Sequence, residues 1–367
     1  MSAPSVSLRF VTGRLSLLDR FLPLWILAAM ALGIGLGRFA PGIAGVLGGL
    51  QVGSVSLPLA LGLLWMMYPV LARVKYEELA HLRQAGRLFG ISLLLNWIVG
   101  PALMFGLAWI FLGDLPGYRT GLILVGIARC IAMVLVWNEL AGGDRESAAI
   151  LVAINSIFQV FAYAFYAYVF LTVLPGWLHL GASQHVNIGF SDVARSVLIF
   201  LGIPLLAGIL TRAIGVRLKG RAWYDDVAMP KLAPTALLAL LFTIVVMFSL
   251  QGAAILRLPY EVLRIAVPLL FYFAIMFGLA FWWAQRSGFD YAQTATLSFT
   301  AAGNNFELAI AVAIGTFGIA SSAALATVVG PLIEVPALVG LVYVALWFKE
   351  RIHFGARGRL AAEETAP

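Results

Sequence analysis

The sequence predicts an all-α polytopic membrane protein of ten transmembrane helices, built as two inverted five-helix repeats. Three observations carry this. The 367 residues are 62% hydrophobic and only 11% charged, with a strongly positive mean hydropathy, far outside the range of soluble domains. Apolar runs of membrane-crossing length recur along the whole chain. Landmarks in its two halves also repeat at an offset near 175 residues.

The elements follow in order. Residues 1–21, "MSAPSVSLRFVTGRLSLLDRF", form a polar, basic lead; the apolar run behind it lacks a small-residue cleavage site, so it reads as a retained helix. A hydrocarbon core about 30 Å thick needs roughly 17 to 25 helical residues, fewer where the ends snorkel. On that ruler the spans fall at 22–37, 54–72, 88–112, 120–138, 147–174, 196–211, 232–250, 265–284, 291–316 and 319–347. The organisation expected is a lead (1–21), a first repeat (22–174), an outer loop (175–192), a second repeat (193–347) and a tail (348–367). With both termini cytoplasmic, inner segments hold 18 of the 24 lysines and arginines, and outer loops hold Arg38, Arg119, Arg195, Arg257 and Arg264. That asymmetry sets the orientation expected in a plasma (inner) membrane.

The repeat shows in two alignments. "GIGLGR" (33–38) over "AGILTR" (207–212) gives an offset of 174, and Pro58 over Pro234 gives 176. Because five spans per half is an odd number, the second copy must enter from the opposite side, as in secondary transporters with inverted repeats. An offset of 175 carries Cys130 in span 4 onto Asn305 in span 9.

Chemistry concentrates where charge is most costly. Within the ten spans only Arg129, Glu307 and Glu334 are formally charged. An ionised side chain facing lipid there costs about 2.5 to 3.5 kcal/mol on insertion scales, so each must face inward and find a partner. In span 9, "AAGNNFELAIAV" interrupts the apolar run with Gly303, Asn304 and Asn305. This predicts a broken helix, which survives at that depth only where it lines a cavity or is sealed by protein. Span 4 is the symmetry partner of that break, with Gly121 and Gly126 ahead of Arg129. In span 10, Pro331 and Pro336 flank Glu334 and predict a local loosening. In span 5, Asn155 and Gln159 stand i, i+4 on one face; they either line the interior or join helices by hydrogen bonds.

Several residues have two readings. Cys130, the sole cysteine, is a small apolar filler on its own; with Arg129 beside it and a break opposite, it is a candidate soft ligand. Arg129 serves either the cargo or, as a counter-ion, Glu307 or Glu334. Trp65, Met66, Met67 and Tyr68 read as packing. His179 and His185 lack metal-ligand spacing. No disulfide, zinc cluster, HExxH, GxSxG or Walker loop occurs. "LAGGDRE" has Ala141 where an intramembrane aspartyl protease needs glycine, so no enzyme and no cofactor is expected. The net charge of +7 lies scattered over short loops, which argues against nucleic acid.

The stretches 126–168, "GIARCIAMVLVWNELAGGDRESAAILVAINSIFQVFAYAFYAY", and 303–318, "GNNFELAIAVAIGTFG", resemble the arsenical-resistance permeases. This is the arsenite efflux family of the bile/arsenite/riboflavin transporter superfamily. "FLPLWILAAMALGIGLGR" near the start and "GPLIEVPALVGLVYVALWF" near the end fit as well. The resemblance implies ten helices in two inverted repeats, with discontinuous helices 4 and 9 crossing at the transport site, and export of arsenite, in some members antimonite, in exchange for protons. Cys130 would be the essential thiol and Glu307 the essential acid.

Arsenite at neutral pH is mostly an uncharged trihydroxide of a soft, thiol-seeking element. One thiol can recognise it and still let it go. The substrate site expected is Cys130 as arsenite ligand with Arg129, Asn155, Gln159, Asn304 and Asn305. One arginine cannot balance two ionised carboxylates in a dry centre, so one carboxyl carries a proton; Glu307, beside the break and opposite Cys130, is expected to be that one, with Glu334 in reserve. The rival readings are a sodium-coupled organic-anion symporter of the bile-acid kind, which needs no thiol at 130, and a passive metalloid channel, which needs no proton gradient. The sequence leaves open whether a soluble ATPase assists.

Overall fold

A computed structural model describes residues 21–40, 42, 50–52, 55–77, 86–180, 189–257, 259–352 and 354. Most of the basic lead, His185 and the residues of the tail from 355 onward lie outside the described residues. The first half holds α1 (Leu22–Phe39), a two-residue hairpin (Gln51–Val52 with Val55–Ser56), α2 (Leu57–Arg73), α3 (Gly86–Leu112), α4 (Pro116–Ile127), α5 (Met133–Leu140) and α6 (Arg145–Trp177). The second holds α7 (Phe190–Lys219), α8 (Arg221–Trp223 continuing through a wide turn into Met229–Arg257), α9 (Pro259–Arg286), α10 (Tyr291–Ala302), α11 (Phe306–Phe317) and α12 (Ser322–Arg351).

The stretches Gly86–Leu112, Arg145–Trp177, Phe190–Lys219, Arg221–Leu250, Pro259–Arg286 and Ser322–Arg351 are each long and apolar enough to cross a membrane. Ile110, Phe161 and Leu218 stand about three-quarters exposed on the outer surface. Acyl chains tolerate what water would penalise. The chain is an all-helical, multi-pass membrane protein.

Four helices contain a five-residue π turn, at Leu95–Val99, Val169–Val173, Leu198–Gly202 and Tyr224–Ala228. A proline follows each by two positions: Pro101, Pro175, Pro204 and Pro230. The cause is local. A proline ring crowds the carbonyl four residues back and donates no N–H, so the preceding turn widens, and the residue before proline bonds five back, as Gly100 N does to the Leu95 carbonyl. Span 10 behaves differently from the loosening that its prolines predict. α12 runs unbroken through Pro331 and Pro336, because its neighbours α4, α9 and α11 hold it along its length.

Two bundles result. α1 and α2 both pack on α8, with α7 against α2; α3, α4, α6, α9, α10, α11 and α12 form the larger group, which the first turns of α7 also join through α6 and α11. Just past the end of α2, Arg212 of α7 is nearly fully buried and pairs with Glu77 (2.6 Å) and Asp225 (2.8 Å), tying the connector after α2 to α7 and to the lead of α8. At the end of α3, Arg264 of α9 pairs with Asp114 and also donates to the Phe111 carbonyl.

Candidate functional site

α4 stops at Ile127 and α10 at Ala302; their successors begin at Met133 and Phe306. The intervening residues meet as a short antiparallel bridge between Arg129 and Asn304. Cys130 N donates to the Gly303 carbonyl (3.4 Å) and Asn305 N to the Ala128 carbonyl (3.1 Å). Each break thus satisfies backbone groups that the other leaves free, the condition for irregular chain inside a membrane protein. Gly303 is required by the approach, since a Cβ there would stand 2.9 Å from that of Cys130.

Side chains complete the crossing. Arg129 N donates to Gln159 Oε1 at 2.8 Å, and Asn304 N to Glu334 Oε1 at 3.4 Å. Both donors and both acceptors are 175 residues apart. Asn304 Nδ2 donates to the carbonyls of Val125 (2.9 Å) and Ala128 (3.2 Å), closing the end of α4. Asn305 Oδ1 caps α11 by accepting from Leu308 N, and Cys130 Sγ accepts from Val134 N at 3.3 Å near the start of α5. Asn304 Oδ1 and Asn305 Nδ2 are buried without a partner among the described residues.

Asn155 and Gln159 both point inward and are buried. They do different things. Gln159 serves the crossing, whereas Asn155 Oδ1 accepts from Trp97 Nε1 (3.1 Å) and joins α6 to α3.

Arg129 departs from expectation. It is fully buried, yet it pairs with neither Glu307 nor Glu334. Its Nη1 donates to Tyr272 Oη on α9 at 2.8 Å, and its Nη2 to the Gly126 carbonyl. The physical reason is the end of α4, whose exposed carbonyls carry the negative pole of the helix and compete with a carboxylate for the guanidinium. The counter-ion reading of Arg129 is therefore corrected.

A cavity of about 310 Å³ lies on the seam between the bundles. Met66, Pro69 and Val70 of α2 and Pro234, Leu237 and Leu240 of α8 line one side; Ile131, Ala132, Met133, Leu135 and Glu307 line the other. Glu307, in the first turn of α11 where the helix pole favours a carboxylate, reaches this cavity, while Glu334 is buried behind it. Cys130 is 4% exposed and is not among the lining residues, although the three residues after it are. Arg73 and Leu135 also line a second, more polar cavity of about 440 Å³ with Glu139, Arg145, Asp225 and Asp226. Met66, read from sequence as packing, lines the seam, and nothing in its apolar surroundings marks it in advance.

A family model for the Sodium Bile acid symporter family matches residues 60–258. The chain is similar to an arsenical-resistance protein Acr3 of Corynebacterium glutamicum, 53% identical over 95% of this chain and 94% of the relative. It is 34% identical to an uncharacterized transporter, slr0944, of Synechocystis over 92% of this chain and 91% of that one. An Acr3 of Alkaliphilus metalliredigens is 31% identical over 90% and 94%. A polytopic chain with two interrupted helices crossing beside a seam cavity, matched end to end by these relatives, belongs to the arsenical-resistance permeases, a family of membrane transporters within the sodium bile acid symporter group.

Proposed function

We propose that the chain exports arsenite from the cytoplasm in exchange for protons, through ten spans built as two inverted repeats. The observation that carries the reading is the crossing of the two breaks, which sets the sole thiol against Gly303 and places Glu307 on the adjoining cavity. The equal lengths of α4 and α10, which begin 175 residues apart at Pro116 and Tyr291 and end 175 apart at Ile127 and Ala302, support the repeat.

Arsenite enters the seam, and Cys130 Sγ leaves Val134 N to bind the arsenic; the thiol proton and one arsenite hydroxide leave as water, and water re-adds to arsenic when the cargo is released. The free Asn304 Oδ1 and Asn305 Nδ2 accept from and donate to its hydroxyls. Gln159 and Arg129 hold the backbone of the crossing. Protonation of Glu307 neutralises the one carboxyl among the described residues lining the cavity, and its release on the inner side completes exchange. The more basic end, carrying Arg73 and Arg212, faces the cytoplasm; antimonite shares the cargo chemistry.

The test is arsenite accumulation in energised everted vesicles. Wild type accumulates arsenite and loses it on adding an uncoupler; Cys130→Ser, expressed at the same level, accumulates none. Uptake by Cys130→Ser equal to wild type would remove the thiol from the mechanism, and uptake unaffected by the uncoupler would make the protein a channel.

A further inference from the structure

A buried arginine without a carboxylate needs an explanation, because an ionised group inside a membrane protein persists only where its charge is answered. The answer here is the carboxyl end of α4. At that end the Val125 and Ala128 carbonyls accept from Asn304 Nδ2, and the Gly126 carbonyl accepts from Arg129 Nη2. The guanidinium is seated in a built recess. Tyr272 Oη accepts from Nη1, and Gly100, beside the π turn of α3, leaves the space. A Cβ at Gly100 would lie 2.8 Å from Nη1, 2.9 Å from Tyr272 Oη and 3.2 Å from the Leu95 carbonyl oxygen.

Unwound carbonyls and half-helix carboxyl ends are where transporters of this general architecture coordinate inorganic cations. In this chain N–H donors occupy that end. We propose that Arg129 is a resident cation, a positioning residue whose guanidinium takes the place at the carboxyl end of α4 that Na⁺ would otherwise take, and that it makes transport independent of sodium. The wider group within which the chain's family falls is named for sodium coupling, so the residue would mark how this member differs. The inference uses the proposed arsenite export only in its transport arm; the binding arm stands without it.

Removing the guanidinium and supplying an oxygen should convert the recess into a cation site. The Gly126 carbonyl and Tyr272 Oη would be released, and Arg129→Ser would add its hydroxyl, all hard oxygen donors. The experiment compares thermal unfolding of purified protein in NaCl and in choline chloride at equal ionic strength. Wild type and Arg129→Lys unfold at the same temperature in both salts; Arg129→Ser gains about 2 °C in NaCl, the size of shift that saturating binding of one ion gives a chain of this length. In proteoliposomes, wild type moves arsenite equally in both salts, whereas Arg129→Ser is inactive in choline and partly restored by Na⁺.

A folded Arg129→Ser indifferent to Na⁺ would overturn the proposal. Should that variant not fold in either salt, saturable ²²Na⁺ binding to wild type decides: none is expected, and binding would overturn it. Loss of arsenite transport in every protein, wild type included, with the unfolding shift intact would instead count against the proposed substrate.

Discussion

Glu307 and Glu334 differ by position more than by chemistry. Glu307 opens on the seam cavity, whereas Glu334 accepts from Asn304 N within the crossing. The residue 175 positions before Glu334 is Gln159, which performs the same task for Arg129 N through an amide oxygen. An amide at 334 therefore keeps the acceptor that the crossing needs. Glu334→Gln is expected to keep uphill arsenite export within a fewfold of wild type, and Glu334→Ala to lose about 1–3 kcal/mol of stability by stranding the Asn304 N–H. Glu307→Gln is expected to abolish uphill export while the protein still folds. Vesicle uptake and thermal unfolding check all three, and a Glu307→Gln protein that still concentrates arsenite would pass the proton to Glu334. The sequence made both acids legible, because a charge amid apolar residues is conspicuous. It ranked Glu307 first only by its place beside the break; which acid meets the cavity depends on α2 and α8, far from either in sequence.

The two interrupted helices show what an element discloses in advance. Gly303, Asn304 and Asn305 stand out against their apolar flanks, and the interruption was readable from them alone. Its partner at residues 128–132 contains Ala128, Cys130, Ile131 and Ala132, none of which disfavours helix strongly; the repeat, the glycines ahead of it and the family resemblance point to it instead. The long-range contact is what breaks this segment, since its backbone groups bond to Gly303 and Asn305 instead of to a continued helix. The π turns went unread for a different reason. A proline in a membrane helix can bend it, open it or be absorbed, and Pro331 and Pro336 are absorbed where Pro101 and Pro204 widen a turn. The crossing itself depends on one missing methyl. Gly303→Ala puts a Cβ against Cys130 and within 3.2 Å of the Phe299 carbonyl oxygen, so the bridge must part. The expected cost is about 1–3 kcal/mol, with helix content by circular dichroism unchanged and arsenite uptake lost.

At the scale of the molecule the smaller bundle is tied at one end by Arg212. Three hydrogen bonds from its guanidinium hold the Glu77 carboxyl below the usual carboxylate range. A carboxyl with a depressed folded pKa contributes stability that is present above its ordinary pKa and is lost as pH falls through the folded value. Thermal stability should therefore drop as pH is lowered below about 4.5, and the drop should be smaller in Glu77→Gln, measured by unfolding in detergent across that range.

The seam between the bundles carries the last expectation. One face of the cavity belongs to α2 and α8 and the other to the crossing, so relative movement of the bundles would open or close it without breaking the hydrogen bonds of the crossing. Arg73 and Leu135 belong to both this cavity and the polar one beside Asp225, which places the entrance at the Arg212 end. A cysteine introduced as Val70→Cys in the Cys130→Ser background would be the only thiol in the chain. It should react with a membrane-impermeant maleimide in everted vesicles and stay unreactive in right-side-out vesicles. Leu210→Cys on α7, half exposed on the outer surface and outside the cavity lining, should resist the same reagent from both sides because lipid covers it. Labelling of Val70→Cys from the periplasmic face alone would place the entrance at the Asp114 end and reverse the direction in which the seam opens.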